Sequence, residues 1–504
     1  MKQKTVMCTF LVWACFLYTC TAQWTQIGTD IDGIEENDLL GRSVSLNADG
    51  TILAIGSSEG VGIRSAGSVR VYQNVNNSWM PLGAEIIGEN SGDKFGRAVS
   101  LNNSGNILAV GAFLNNGNGL RAGHVRVFRY ANNVWTQIGT DIDGKGPLND
   151  FGRSVHLNAD GTIVVAGAPF SNEGGNGFRY GQVRIFENIN DVWTQVGGDI
   201  NGESDEDQSG ASVSINDTGN IVAIGAIAND GNGPDAGHVR VFENVNNVWT
   251  QIGSDIDGEA ALDGSGGAVS LNGDGTIVAI GASSNDGNGD AAGHVRMYQN
   301  INNNWTQIGN DIDGENSADF SGTSVSLNAN GNIVAIGAYG NDDNGNFAGH
   351  ARVYEFNNSV WTQVGLDIDG EAASDQSGQA VSISNDGAVI AIGAIGNDNL
   401  NGMSAGHVRV YNNSSVLSTQ TNLLQSNVFI YPNPSYGASK IQLGTNPQTG
   451  SIRIYNLLGQ KMDTFTFIHK NSVELNTKTY EAGVYFVKIT FSSYEITKQF
   501  VVKP

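Results

Sequence analysis

From residue 24 onward the chain repeats one pattern of short apolar and alternating runs, and no stretch of it has a helical period. A unit holds an alternating run led by glycine (GRSVSLN, 41–47), a tight turn (NADG, 47–50) and a run apolar throughout (IVAIGA, 277–282). A loop of Asn, Asp and Gly follows, then a second alternating run (AGHVRVF, 236–242), then WTQIG or WTQVG, mostly leading into DIDG. Trp24, Trp79, Trp135, Trp193, Trp249, Trp305 and Trp361 mark the units at intervals of 55 to 58 residues. Alternation at period two predicts strands with one covered face, whereas the wholly apolar run predicts a strand covered on both. NADG predicts a hairpin turn with its glycine in the left-handed region, and the indole of WTQIG is large enough to seal a sheet's outer edge.

Four short strands per unit, repeated seven times, predict an all-β, seven-bladed propeller of four-stranded blades over residues 23–411. The phase of the repeat predicts its closure. The first glycine-led strand follows Trp24, and the last unit ends at Tyr411 without a tryptophan segment of its own. The amino-terminal strand, 24–33, should therefore complete the seventh blade and leave no open sheet edge.

Composition agrees with a large, turn-rich β protein: 68 of 504 residues are glycine, roughly twice the usual share, and only 15% are charged. The net charge of −24 argues against a nucleic-acid or polybasic membrane binder. All three cysteines, Cys8, Cys15 and Cys20, lie in an amino-terminal stretch where Lys2 and Lys4 precede an apolar run and a CTA site ends at Ala22. Residues 1–22 are read as a secretory signal peptide, which leaves a mature chain without disulfides and without an apolar stretch long enough to span a bilayer.

The runs DKFGRAV (93–99), NDFGRSV (149–155) and AGAP (166–169) resemble the FG-GAP repeats of integrin alpha-chain propellers and their bacterial relatives. Two features depart from that family. Ser209, Ser265, Ser321 and Ser377 stand where it has phenylalanine, and its calcium loop is shortened here to NGDG (272–275), so its calcium sites do not carry over.

Past Tyr411 the composition changes. Residues 412–427 read as a polar linker and 428–504 as a small β-sandwich domain with eight basic and four acidic residues. YPNP (431–434), IYNLLGQ (454–460), GVYFVK (483–488) and the closing KQFVVKP resemble the type A carboxy-terminal sorting domain of Bacteroidota type IX secretion. That resemblance implies the type IX secretion machinery as a partner of 428–504 and an extracellular or outer-membrane-surface location.

Candidate chemistry is sparse. His124, His238, His294, His350 and His407 share one repeat position, where Ser68 and Gln182 stand in blades one and three. Equivalent positions on a ring lie too far apart to share one ion, so each imidazole is expected to bond a neighbouring loop. His156, on an inner strand where other blades have serine, is expected to line the channel. Arg70, Arg126, Arg184, Arg240, Arg296, Arg352 and Arg409 recur in every blade and are expected to be held by a carboxylate of the adjacent DIDG. Asp286, Asp290, Asp342 and Asp343 cluster oxygens of the kind calcium takes, and calcium is the one cofactor the sequence suggests.

The remaining positive charge is uneven. Arg42, Arg64, Lys94, Arg97, Arg121, Arg129, Lys145, Arg153 and Arg179 all lie in blades one to three. Arg42, Arg97 and Arg153 begin inner strands, and Arg64, Arg121 and Arg179 end the loops before third strands, which predicts a basic sector on one mouth of the ring. Facing it would be acidic loops carrying Asp207, Asp235, Asp263, Asp290, Asp319 and Asp375. Arginine forks suit carboxylate and sulfate, so the reading is a non-catalytic binding or adhesion propeller for an anionic glycan or protein ligand. The alternative is a polysaccharide hydrolase or lyase using Asp205, Glu206 and Asp207 at the mouth.

Overall fold

The computed structural model describes residues 24–172, 178–413, 428–443, 448–457, 460–491 and 495–503. Residues 1–22, read as a signal peptide, and most of 412–427, read as a linker, lie outside the described residues. The chain divides into two compact units, Met1–Asn413 and Ser414–Pro504.

The first unit is a ring of seven antiparallel sheets, each of five strands. Blade one consists of Ser43–Leu46, Ile52–Ser57, Ser68–Val75 and Ser78–Pro81, with Ile86–Ile87 as the fifth strand. The expected outer strand is thus broken in two. Gly83 in blade one and Gly139 in blade two take φ of 83° and 69° there, a region that favours glycine. The tryptophan half pairs with the end of the third strand (Phe128↔Gln137), and the Ile-Asp half returns to its start (Val125↔Ile142).

The apolar second strands are buried along most of their length because each is covered on both faces, and the core lies between blades rather than within them. One cluster joins Val165, Val183 and Ile185 of blade three to Val213, Ile215 and Val222 of blade four. Such close stacking needs glycine where backbones cross: a Cβ on Gly225 would run into the carbonyl oxygen of Gly266 in the next blade.

The amino-terminal strand does complete blade seven. Thr25 pairs with Asn412, Gln26 with Tyr411 and Ile31 with Val408. Three rings of hydrogen bonds then run through all seven blades. In the outer ring each indole N–H donates to a carbonyl of the preceding blade, from Trp79 to Ile27 (3.0 Å) round to Trp24, which donates to Val364 (2.8 Å). A middle ring passes from the side chain of one inner strand to the backbone N–H of its neighbour, as Leu46 N–H donates to Ser382 Oγ at 2.9 Å. The third is backbone alone: Ala48 donates to Asn103, and the chain of bonds returns when Asn385 donates to Ala48 at 2.8 Å.

The second unit is a sandwich. Phe429–Tyr431, Ala438–Gln442 and Ser472–Asn476 form one sheet, and Gln448–Asn456, Lys461–Lys470, Gly483–Phe491 and Glu495–Val502 the other. Ile441 and Leu475 from the first meet Ile452, Val487 and Phe500 from the second in a core of its own.

Candidate binding site at the channel mouth

The inner strands run along the ring axis, so residues at one repeat position converge on it. Where these strands begin, Arg42, Arg97 and Arg153 share a cavity of about 380 Å³ with Ala211, Gly267, Thr323 and Gln379 from the equivalent position of the other four blades. Among the described residues that line it there is no carboxylate. Burial, then the charges of Arg42 and Arg153, press the Arg97 guanidinium well below its ordinary pKa. Arg42 is lowered for the same reason, by burial and then by Arg153, with Glu59 partly offsetting this. Arg153 lies over the Phe113 ring, 4.8 Å from its centroid. Glu59 and Asp150 act on Arg42 and Arg153 from outside the lining, but no carboxylate of the described residues enters the cavity, so an anion there would relieve the mutual repulsion of the three cations.

The other three arginines of the expected sector lie elsewhere. Arg64 pairs with Glu85 at 2.9 Å, Arg121 holds Asp150 with two bonds of 3.1 and 2.7 Å, and Arg179 sits over the Phe170 and Phe178 rings. Four of the six facing aspartates are engaged too, while Asp235 and Asp290 are exposed. Asp207, Asp263, Asp319 and Asp375 are buried, and each accepts from backbone N–H groups of its own turn; Asp319 takes Glu315 at 3.1 Å and Asn316 at 2.9 Å. Asp205 accepts from Phe178 N–H at 3.0 Å, so two of the three acids named for catalysis serve turns. Of the calcium candidates, Asp286 and Asp342 accept the N–H of Ala291 and Phe347, Asp290 is exposed, and Asp343 reaches the carboxylates around His350.

One expectation holds in part and one needs correction. The recurring arginines are held by carbonyls and carboxylates together: Arg184 donates to Asp143 O and Arg296 to Asp257 O, both at 2.6 Å. Arg70 pairs with Asp38, and Arg240, Arg296, Arg352 and Arg409 lie 3.3–3.7 Å from Glu203, Glu259, Glu315 and Glu371, the residues that follow each DIDG or its equivalent. The shared histidines do not bond a loop. Their side chains are 1–2% exposed, their Nε2 atoms have no partner, and Nδ1 faces carboxylate oxygens at 3.5–4.0 Å. Burial, with the strand arginine adding to it, holds His294, His350 and His407 down to about 4.

His156 lines a second cavity of about 120 Å³ further along the axis, and its role is more definite than lining. It replaces serine in the middle ring, its Nδ1 accepting from Ile215 N–H at 2.9 Å. Burial holds its pKa down to about 4, and a proton on Nδ1 would set one donor against another. Unfolded histidine titrates near 6.5, so the stability its neutral form contributes is complete above pH 6.5 and is lost as pH falls toward 4. His156→Ser restores the repeat residue. Allowing for channel water, it should change stability little at pH 7 yet raise it by about 1–2 kcal/mol at pH 5 relative to the parent. Denaturant melts at the two pH values check this; equal acid sensitivity of parent and variant would refute it.

The FG-GAP repeat model matches residues 88–128 and 366–411, and the secretion system C-terminal sorting domain model matches 429–503. The chain thus carries FG-GAP repeats and ends in a type IX sorting domain, which directs export to the cell surface or extracellular space. Phe95 of the first matched repeat and Phe151 at the equivalent position of the next blade are fully buried, with the guanidinium of Arg184 4.1 Å from the Phe151 centroid. Ser209, Ser265, Ser321 and Ser377 make the same bridge to a glycine of the preceding blade, as in Gly181↔Ser209 beside Gly123↔Phe151.

No curated protein sequence matches the chain. Among solved structures, similarity extends to a periplasmic gluconolactonase of Pseudomonas aeruginosa (13% identity, 66% of this chain and 85% of that one, TM-score 0.43). It extends also to a GH74 xyloglucanase from Xanthomonas campestris (11%, 74% and 53%, 0.41) and to AofleA from Arthrobotrys oligospora (11%, 70% and 94%, 0.40).

Proposed function

We propose that this exported propeller is a non-catalytic binding module that takes the carboxylate or sulfate groups of an anionic glycan at the channel mouth. The observation that carries the reading is the convergence of Arg42, Arg97 and Arg153 on one cavity without a carboxylate. Guanidinium forks hold planar or tetrahedral oxyanions with paired bonds, and a half-enclosed mouth admits a chain end or a substituent rather than a whole polymer. The neutral Ala211, Gly267, Thr323 and Gln379 leave the opposite side of that mouth uncharged and open to a sugar ring.

The triple variant Arg42→Ala, Arg97→Ala, Arg153→Ala tests it. Charge-assisted bonds contribute about 1.5–3 kcal/mol each, so binding to sulfated or uronic-acid polysaccharides should weaken by about 100-fold or more while the melting curve stays that of a folded ring. Binding by the parent should fall steeply with salt. Absence of binding by the parent at low salt, or a preference for acidic peptides over anionic glycans, would overturn the proposal.

A further inference from the structure

The histidines rejected as sharers of one ion each have carboxylates of their own. In five blades, ligand atoms of a histidine and of at least two Asp or Glu residues lie within 4.8 Å of one another. The richest group is His350 with Glu315, Asp343 and Asp367, where neither imidazole nitrogen has a partner and the side chain is 1% exposed. In four of these groups histidine and aspartate come from one blade and glutamate from the segment entering it, so the group spans the seam between blades; in the fifth, Asp30 and Asp32 of the amino-terminal segment meet His407 within blade seven. One aspartate oxygen is occupied by the glutamine of the preceding WTQ: Gln307 donates to Asp311 Oδ1 at 2.6 Å, which leaves Oδ2 facing His294 Nδ1 at 4.0 Å. In the His350 group Gln363 donates to Asp367 Oδ1 at 2.5 Å.

The two blades without this histidine supply the second observation. In blade one Ser68 replaces histidine, Pro81 the glutamine and Glu85 the aspartate; there the Arg64 guanidinium lies between Glu85 at 2.9 Å and Glu35 at 3.6 Å. In blade three Gln182 replaces histidine, and Lys145, standing where others have glutamate, places its ammonium on Asp199. Every seam glutamate of the histidine-bearing blades also has the strand arginine within 4.0 Å, as Arg352 lies 3.5 Å from Glu315, and where the imidazole is missing the protein adds a further cation, Arg64 or Lys145, on the seam carboxylates.

We infer that each of the five histidine-bearing groups is a site for one divalent transition cation, ligated by the imidazole and by two or three carboxylates. A single imidazole among oxygens suits zinc-like ions better than calcium, and ligand distances of about 2.0–2.2 Å require only a small contraction of the present groups. Four of the ions would clip two neighbouring blades together and the fifth would tie the amino-terminal segment to the third strand of blade seven, a role that disulfides fill in other exported proteins. The seams are distinct from the channel mouth, and this inference does not depend on anion binding there.

Equilibrium dialysis of the chelator-stripped protein against Zn²⁺, with metal read by mass spectrometry, tests it. The parent should take up five equivalents, matching the five groups. His350→Ser, which copies the residue of blade one, should take up one fewer, and Gln363→Leu should weaken that one site by about tenfold through loss of carboxylate orientation. Zn²⁺ should raise the melting temperature of the parent more than that of the variant carrying serine at all five histidine positions. Uptake that is the same in the parent and in His350→Ser, or Ca²⁺ bound in place of Zn²⁺ at sites indifferent to histidine, would overturn it. His350→Ser alters one group of five, so the stoichiometry can be read even if the fivefold variant does not fold.

Discussion

Deletion of residues 24–33 will lower the melting temperature of the propeller by roughly 10 °C or more, far beyond the effect of trimming an exposed loop. The segment buries Trp24, Ile27 and Ile31, which are 8%, 8% and 6% exposed. At about 2–3 kcal/mol for each buried side chain, their loss alone is on the order of 6 kcal/mol, comparable with the net stability of many domains. It also removes both halves of the outer strand of blade seven, leaving His407–Asn412 as a bare edge, and opens the indole ring between Trp24 and Val364. Because every core cluster of the ring lies at a seam, the opening exposes the apolar face where blade seven meets blade one, including Leu46, Leu53 and Val410. A melt superimposable on that of the parent would show that closure contributes nothing.

Truncation after Asn413 will abolish appearance of the protein outside the cell while leaving the propeller folded. The carboxy-terminal sandwich has its own two sheets and its own core around Ile452, Val487 and Phe500, and the seventh blade is completed from the amino terminus rather than from the tail. The propeller therefore keeps all seven blades and its closing strand, whereas the sorting domain matched over 429–503 is lost entire. Fractionation should find the truncated chain in the periplasm with the melting curve of the intact propeller; surface display of the truncated chain would refute the assignment of export to the tail.

The two expectations differ in how far they could be read along the chain. The tail was legible from contiguous runs such as GVYFVK, because a strand's pattern and its neighbours in sequence suffice to recognise it. Ring closure was legible from phase: a tryptophan segment too many at the start and one too few at the end can be reconciled only by pairing across the length of the chain. The break in each outer strand was less visible, since WTQIGTDIDG reads as one alternating run until Gly139 is found at φ 69°.

The candidate sites divide along the same line. Arg42, Arg97 and Arg153 stood out because they share one repeat position at the start of inner strands, and repeat position in a propeller fixes radius and height about the axis. Arg64, Arg121 and Arg179 share a position too, but their long side chains settle on whatever carboxylate or ring the local turn offers, which periodicity does not encode. Asp207 and its equivalents were misread as a charged face because a carboxylate that caps a turn and one that faces a ligand look alike in sequence.

The sequence by itself determined the strand pattern, the number of blades, the end that closes the ring and the tail that exports it, because period and phase are properties of order along the chain. Only the tertiary structure decided that His156 carries one link of a seven-membered hydrogen-bond ring, and that Glu315, His350 and Asp367 meet across a seam. Those contacts join residues from successive units, and their distances depend on how two blades stack, which no single repeat specifies.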